Sequence, residues 1–247
     1  MAPADLPFVR ASLRPGALYA EAWARIKDRY ALFLGVTFVG VLVGGLGPMG
    51  ILMGPMMVGI FLCHRARARG EEVRFDLLFK GFDRFVDAFI AALLMMAASL
   101  VVVLPLVLVL VFGAVFGTVG LAAAGQHSEG LAGGAAAGLC LLWAGMIALI
   151  LLASTLVNLL FTFAFPLLAD RGLAGLDAVK LSFRAAWANL GGLVVLALAT
   201  FALTFLGLML CYVGALLLMP LTLGVHWIAY ERVFGRAGEA DLADFPA

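Results

Sequence analysis

The basic residues of this 247-residue chain are confined to a few short stretches. All 16 Lys and Arg residues lie in four segments, which are residues 10–29, 65–84, 171–184 and 232–236. Six hydrophobic spans would place all four segments on one face of a membrane, and the connections left for the other face carry a single charged residue, Glu129. Lys and Arg near span ends are retained on the cytoplasmic side. The sequence therefore predicts six membrane-spanning helices with both termini in the cytoplasm.

The composition agrees with a membrane protein. Hydrophobic residues make up 65% of the chain and charged residues 13%, whereas about a quarter of the residues in soluble domains are charged. The net charge is +1 and acidic residues are interleaved with the basic ones, so nucleic acid is not an expected partner. Cys63, Cys140 and Cys211 are isolated in apolar stretches, which argues against a disulfide framework or a zinc site. The N-terminus shows no signal-peptide pattern, so the first span is expected to remain in the mature protein. The chain is expected to be a multi-pass inner-membrane protein surrounded by lipids.

The six spans are predicted to form three helical hairpins in an all-α fold. They run over about Tyr30–Leu46, Met49–Cys63, Ala88–Leu121, Leu131–Leu168, Leu190–Gly207 and Leu208–Val233. A helix needs about 20 apolar residues to cross the hydrocarbon core. The first two spans are short by this measure. The third and fourth are long, and Pro105 and Pro166 are expected to kink them.

An amphipathic helix is predicted before each hairpin, on the cytoplasmic side. Apolar residues share one helical face in three segments: Leu18, Ala22, Trp23, Ile26 and Tyr30; Phe75, Leu78, Phe79, Phe82, Val86 and Phe89; Leu176, Val179, Phe183 and Trp187. An apolar face that contains aromatic residues, opposite a charged face, suits the lipid headgroup region. The same faces would also suit packing against the protein's own spans, and the sequence leaves both interpretations open.

The chain is predicted to be one membrane domain, residues 1–247, built from three repeated units. These units cover residues 15–64, 73–169 and 175–233, between flexible ends at 1–14 and 234–247. The first and last units match best, because Pro55 and Gly59 in one have the same spacing as Pro220 and Gly224 in the other. The middle unit lacks this pair, so the threefold repeat is the weaker part of the prediction.

Three stretches resemble a group of uncharacterised bacterial integral membrane proteins. The first contains Gly54, Pro55 and Gly59 and continues through Arg69, Gly70, Glu71 and Val73. The second is Phe75–Phe82, and the third joins Pro166–Leu173 to Ala178–Asn189. The resemblance implies a six-span membrane fold and assigns no activity.

Polar residues near the spans give three candidate sites. His64 and His226 would lie at the cytoplasmic mouth, either as a pair that binds a metal or a proton or as two histidines of the membrane interface. Asn158, Thr155 and Thr162 share one helical face, which with Thr200 and Thr204 would line a polar groove or make hydrogen bonds between helices. Arg65, Arg67 and Arg69 would contact anionic lipid or anchor the second span.

The sequence contains no recognisable catalytic, cofactor-binding or metal-binding constellation. Ionisable residues inside spans usually mark transport or catalytic sites, and the interiors of the first five predicted spans have none. We therefore expect a non-enzymatic scaffold, regulatory subunit or assembly partner that associates with another membrane protein or with itself. The alternative is a transporter or permease component for a hydrophobic or lipid-like solute.

Overall fold

The computed structural model describes residues 6–47, 50–125, 129–210 and 213–235, with side chains except at residues 121 and 123–135. Cys211, residues 1–5 of the predicted flexible N-terminus and residues 236–247 of the predicted tail lie outside these ranges. The regular structure of the described residues is helical, as predicted. Its α-helices are α1 (Pro15–Ile26), α2 (Tyr30–Leu46), α3 (Met53–Ala68), α4 (Phe85–Gly125), α5 (Glu129–Phe161), α6 (Ala164–Arg171), α7 (Gly175–Ala188), α8 (Leu190–Met209) and α9 (Val213–Phe234). Short 3-10 helices cover Lys27–Arg29 and Phe75–Arg84.

Five helical stretches among the described residues are long and apolar enough to cross a membrane. They are Pro15–Leu46, Phe75–Gly120, Ala136–Arg171, Leu190–Met209 and Val213–Phe234. This finding indicates a membrane protein. The helix closest to the predicted second span is α3, whose 16 residues fall short of the usual length of about 20. The six-span topology and its orientation therefore stay predictions.

The chain divides into two compact units. One comprises Met1–Leu94 and Leu159–Ala247, and the other comprises Met95–Asn158. The boundaries fall inside α4 and α5, so the second unit consists of the distal parts of these two helices.

The short helix α3 lies at the centre of the first unit. It packs against α2, α6, α9 and the 3-10 helix Phe75–Arg84, and ten of its residues are buried. Two glycines bring the 3-10 helix against it. A Cβ atom at Gly59 would overlap the carbonyl oxygen of Leu78, and one at Gly81 would overlap that of Pro55. Small residues allow this close backbone approach, which favours helix association in lipid.

Each amphipathic segment packs against a different helix. Helix α1 lies against α9, the 3-10 helix Phe75–Arg84 against α3, and α7 against α6. The residues in these contacts are mostly small or aliphatic, such as Ala22, Leu78 and Ala178. Most of the large aromatic side chains face outward instead, with Trp187 60% exposed. The apolar spacing predicted an α-helix at Phe75–Arg84, whereas this segment forms a 3-10 helix of 10 residues. It is unusually long, because 3-10 geometry rarely extends beyond three or four residues.

The predicted fourth span consists of two helices, α5 and α6, which are separated at Thr162 and Phe163. Pro166 explains the position of this break. Its ring nitrogen has no hydrogen to donate to the carbonyl oxygen of Thr162 one turn earlier. The other predicted kink position, Pro105, lies within the continuous helix α4.

Candidate functional site

The cytoplasmic ends predicted for three spans meet around one buried carboxylate. Asp170, at the end of α6, has a side chain that is 4% exposed. Arg69 donates a hydrogen bond of 2.7 Å to its Oδ1 atom, and the Tyr230 hydroxyl donates one of 2.8 Å to Oδ2. The Arg171 Nε atom lies 3.4 Å from Oδ2. The charge of Asp170 thus links α3, α6 and α9 at one end of the first unit.

A second ionic network attaches α1 to α9. The Arg25 guanidinium lies 2.7 Å from Glu231 and 2.5 Å from Glu21, and Arg232 lies 2.9 Å from the other oxygen of Glu21. The Trp227 indole also donates to Glu231, at 3.0 Å. Because the members alternate in charge, no carboxylate of this network is left without a basic partner.

A cavity of about 310 Å³ opens between the 3-10 helix Phe75–Arg84, α3 and the end of α6. Its lining residues are Val58, Leu62, Arg65, Lys80, Asp83, Arg84, Leu168, Ala169, Asp170, Arg171 and Gly172. The Nε atoms of Arg65 and Arg171 are buried and make no hydrogen bond within the described residues, although that of Arg171 lies within 3.4 Å of Asp170. The exposed Lys80 likewise makes no hydrogen bond or ion pair in that part of the chain. The cavity therefore holds basic groups with unused hydrogen-bond donors.

The three arginines predicted to contact anionic lipid all bind acceptors of the protein. Arg65 donates to the carbonyl oxygen of Ala169 at 2.6 Å, and Arg67 donates to that of Arg25 at 2.6 Å. Arg69 donates to Asp170, as described above. Arg65 alone of the three also lines the cavity. Lipid contact by all three arginines stays a prediction.

The two predicted mouth histidines have different environments. His64 is 4% exposed, and its ring centroid lies 4.8 Å from that of Phe33. Its Nε2 atom has no hydrogen-bond partner in the described residues, and a void of about 10 Å³ adjoins it. His226 is half-buried on α9. The described side chains show no hydrogen bond or ring contact between the two histidines.

Two residues of the predicted polar groove make hydrogen bonds to other parts of the chain. The Asn158 amide donates to the carbonyl oxygen of Ser154 in its own helix at 2.8 Å, and the Thr200 hydroxyl lies 2.9 Å from that of Tyr19. Thr155 is exposed, whereas Thr162 and Thr204 are half-buried. Asn158 and Thr155 belong to the unit Met95–Asn158, and the other three belong to the first unit. A shared groove therefore stays a prediction.

Two buried polar residues, one inside α7 and one directly after it, were not identified from the sequence. The Ser182 hydroxyl bonds to the backbone at the break between α5 and α6. Asn189 accepts a hydrogen bond from the Ala11 backbone N–H at 2.8 Å and donates to the Val9 carbonyl at 3.2 Å. It thereby holds part of the N-terminal segment that was predicted to be flexible. A serine among alanines and an asparagine at a helix end are too common in sequences to signal these contacts.

The comparisons with known proteins show a relationship but no function. No family model and no solved structure match the chain. A 73-residue segment, 30% of this chain, is 33% identical to Uncharacterized protein Mb2590 of Mycobacterium bovis and to Uncharacterized proteins MT2637 and Rv2560 of Mycobacterium tuberculosis. The match spans only 22% of the length of these relatives. It is consistent with the predicted resemblance to uncharacterised bacterial proteins and is too short to define a family.

Proposed function

We propose that this protein is a non-enzymatic, six-span protein of the inner membrane that serves as a scaffold or assembly partner. Its termini and amphipathic segments lie on the cytoplasmic side in this proposal, and α3 is its shortest crossing. The partner is another membrane protein or a second copy of the chain. The observation that carries the proposal is the large uncovered apolar surface of the unit Met95–Asn158.

The helices of this unit bury very little of their surface in the chain itself. An 18-residue apolar stretch of α4 and one of α5 contain no buried residue. Large side chains project outward along both helices, including Val101 at 73% exposure, Phe116 at 71% and Leu141 at 75%. In a membrane protein, lipid or another protein must cover such a surface.

The length of the two helices favours a protein partner over lipid alone. The parts of α4 and α5 inside this unit each extend about 45 Å at 1.5 Å per residue, whereas the hydrocarbon core is about 30 Å thick. The usual helix tilt of about 20° shortens the crossing too little to remove this excess. Glycines on these helices also leave room for close approach, because a Cβ atom at Gly113 or Gly145 would have no neighbour within 4 Å.

The proposal is tested by purifying the full chain from its native host in a mild detergent and identifying bound proteins by mass spectrometry. We expect a stoichiometric partner, or a dimer of the chain. Gly113→Phe and Gly145→Phe should each be compared with the wild-type chain, because the added Cβ atom meets no neighbour and a bulky ring blocks close helix approach from outside.

The matched control is Gly191→Phe, which also enters open space but lies on α8 in the first unit. We expect at least one variant of the unit Met95–Asn158 to lose the partner while the control retains it. A chain that purifies as a monomer with lipid only would contradict the scaffold and favour the transporter alternative.

A further inference from the structure

We propose that the cavity beside α3 binds a phosphate group, carried either by a lipid headgroup or by a soluble phosphate ester. The cavity is lined by four basic side chains, from Arg65, Lys80, Arg84 and Arg171, and by two carboxylates, from Asp83 and Asp170. This site is independent of the uncovered helices of the other unit. The proposal therefore does not depend on the scaffold function.

The first argument is the balance of charge in the cavity. The basic side chains outnumber the acidic ones by two. Some of these groups form ion pairs, because Arg69 and Arg171 both contact Asp170, and Arg84 lies 3.9 Å from Asp87. Counting Arg69 and Asp87 with the lining residues leaves the same surplus of two positive charges. The remaining positive charge lies in a concave space of about 310 Å³, where it is less screened by water than on an open surface. The cavity is therefore suited to a small anion.

The second argument is the set of unused donors. The Nε atom of Arg65 is buried without an acceptor in the described part of the chain, and buried N–H groups normally have one. The Nε atom of Arg171 also makes no hydrogen bond there, although it lies 3.4 Å from Oδ2 of Asp170. Other atoms of these side chains are held in place, since Arg65 donates to Ala169 and Arg171 donates to Phe234. Arg84 is held in the same way by the carbonyl oxygen of Gly172 at 2.8 Å. The guanidinium groups are thus preorganised around the space.

The third argument concerns the kind of anion. Guanidinium groups recognise phosphate and carboxylate through several parallel hydrogen bonds. Four basic side chains offer more positive charge and more hydrogen-bond donors than one carboxylate can pair with. They match the oxygens and the charge of a phosphate group. Lys80 supplies an unpaired cation to the cavity, because it is exposed and makes no hydrogen bond or ion pair with the described residues. A cavity of this volume holds a headgroup or a small phosphate ester.

The test uses the full chain, purified in dodecyl maltoside, with Lys80→Gln as the main variant. Native mass spectrometry counts the phospholipids that remain bound, and calorimetry measures the binding of inorganic phosphate and of glycerol 3-phosphate. Neutralising Lys80 should weaken phosphate binding about fivefold, the effect of one basic residue near a membrane surface. Asp83→Asn should strengthen binding by a similar factor, because it removes a repelling charge.

Lys180→Gln is the matched control, since Lys180 is an exposed lysine on α7 that does not line the cavity. Binding of the soluble phosphates that depends on Lys80 but not on Lys180 would support a soluble ligand. Retention of phospholipid with the same dependence, without binding of the soluble phosphates, would support a lipid headgroup. No phosphate binding of either kind, or equal effects of Lys80→Gln and Lys180→Gln, would overturn the proposal.

Discussion

The Ser182 hydroxyl accepts a hydrogen bond of 3.1 Å from the backbone N–H of Phe163 and thereby bridges the break between α5 and α6. The same hydroxyl donates to the carbonyl oxygen of Leu160 at 2.8 Å. Both backbone groups lie where the regular hydrogen-bond pattern is interrupted before Pro166. One fully buried side chain thus satisfies a donor and an acceptor that the helix itself leaves open.

We predict that Ser182→Ala lowers the free energy of unfolding by about 1–3 kcal/mol, the usual cost of leaving a buried polar group unpaired. The measurement is unfolding in mixed micelles of dodecyl maltoside and SDS, followed by circular dichroism. Ser154→Ala is the control. The Ser154 hydroxyl donates only to Leu151 in its own helix, so its loss should change stability little. Equal stabilities of the two variants would contradict the bridging role.

The close contact of α3 with the 3-10 helix Phe75–Arg84 gives a second prediction. Gly59→Ala places a methyl group on the carbonyl oxygen of Leu78, and rotation of a side chain cannot relieve a clash with the backbone. We expect a loss of about 1–3 kcal/mol or more, measured by the same unfolding assay. Gly191→Ala serves as the control because open space surrounds its Cβ position. It should leave stability unchanged or raise it slightly, because alanine favours helix. A tolerated Gly59→Ala would show that the helices are less closely packed.

The sequence predicted the positions of helices better than their packing. The first predicted span, Tyr30–Leu46, coincides with α2, because charged residues precede this apolar run and glycine follows it. The apolar face predicted for α7 is a different case. Its members Phe183 and Trp187 are largely exposed, whereas Ala178 and Ala185 are fully buried. In lipid, small residues allow close helix contact and large apolar residues need no burial in protein, so hydrophobicity alone does not identify the packed face.

The basic cavity could not be predicted from the sequence for a different reason. Its charged residues come from α3 and the 3-10 helix Phe75–Arg84, which are consecutive in the chain, and from α6, which follows only after α4 and α5. Each group is interpretable from sequence alone as a signal of membrane orientation. Only the packing of the three elements brings these residues around one cavity.

The distribution of basic residues predicts the orientation of the chain in the membrane. Because Lys and Arg are retained in the cytoplasm, the loop that contains the exposed residue Glu72 should face the cytoplasm, and the distal part of α4 with the exposed Ala122 should face outward. Single cysteines at these two positions, in a chain from which Cys63, Cys140 and Cys211 have been replaced, can be labelled with a membrane-impermeant thiol reagent.

In intact cells with a permeabilised outer envelope, we expect label on Ala122→Cys and none on Glu72→Cys until the inner membrane is lysed. A denatured sample labels both and controls for reactivity. If both positions were labelled from one compartment, the number of crossings between them would be even. The path from α3 through the 3-10 helix Phe75–Arg84 into α4 would then not pass from one face of the membrane to the other, and the six-span arrangement would be wrong.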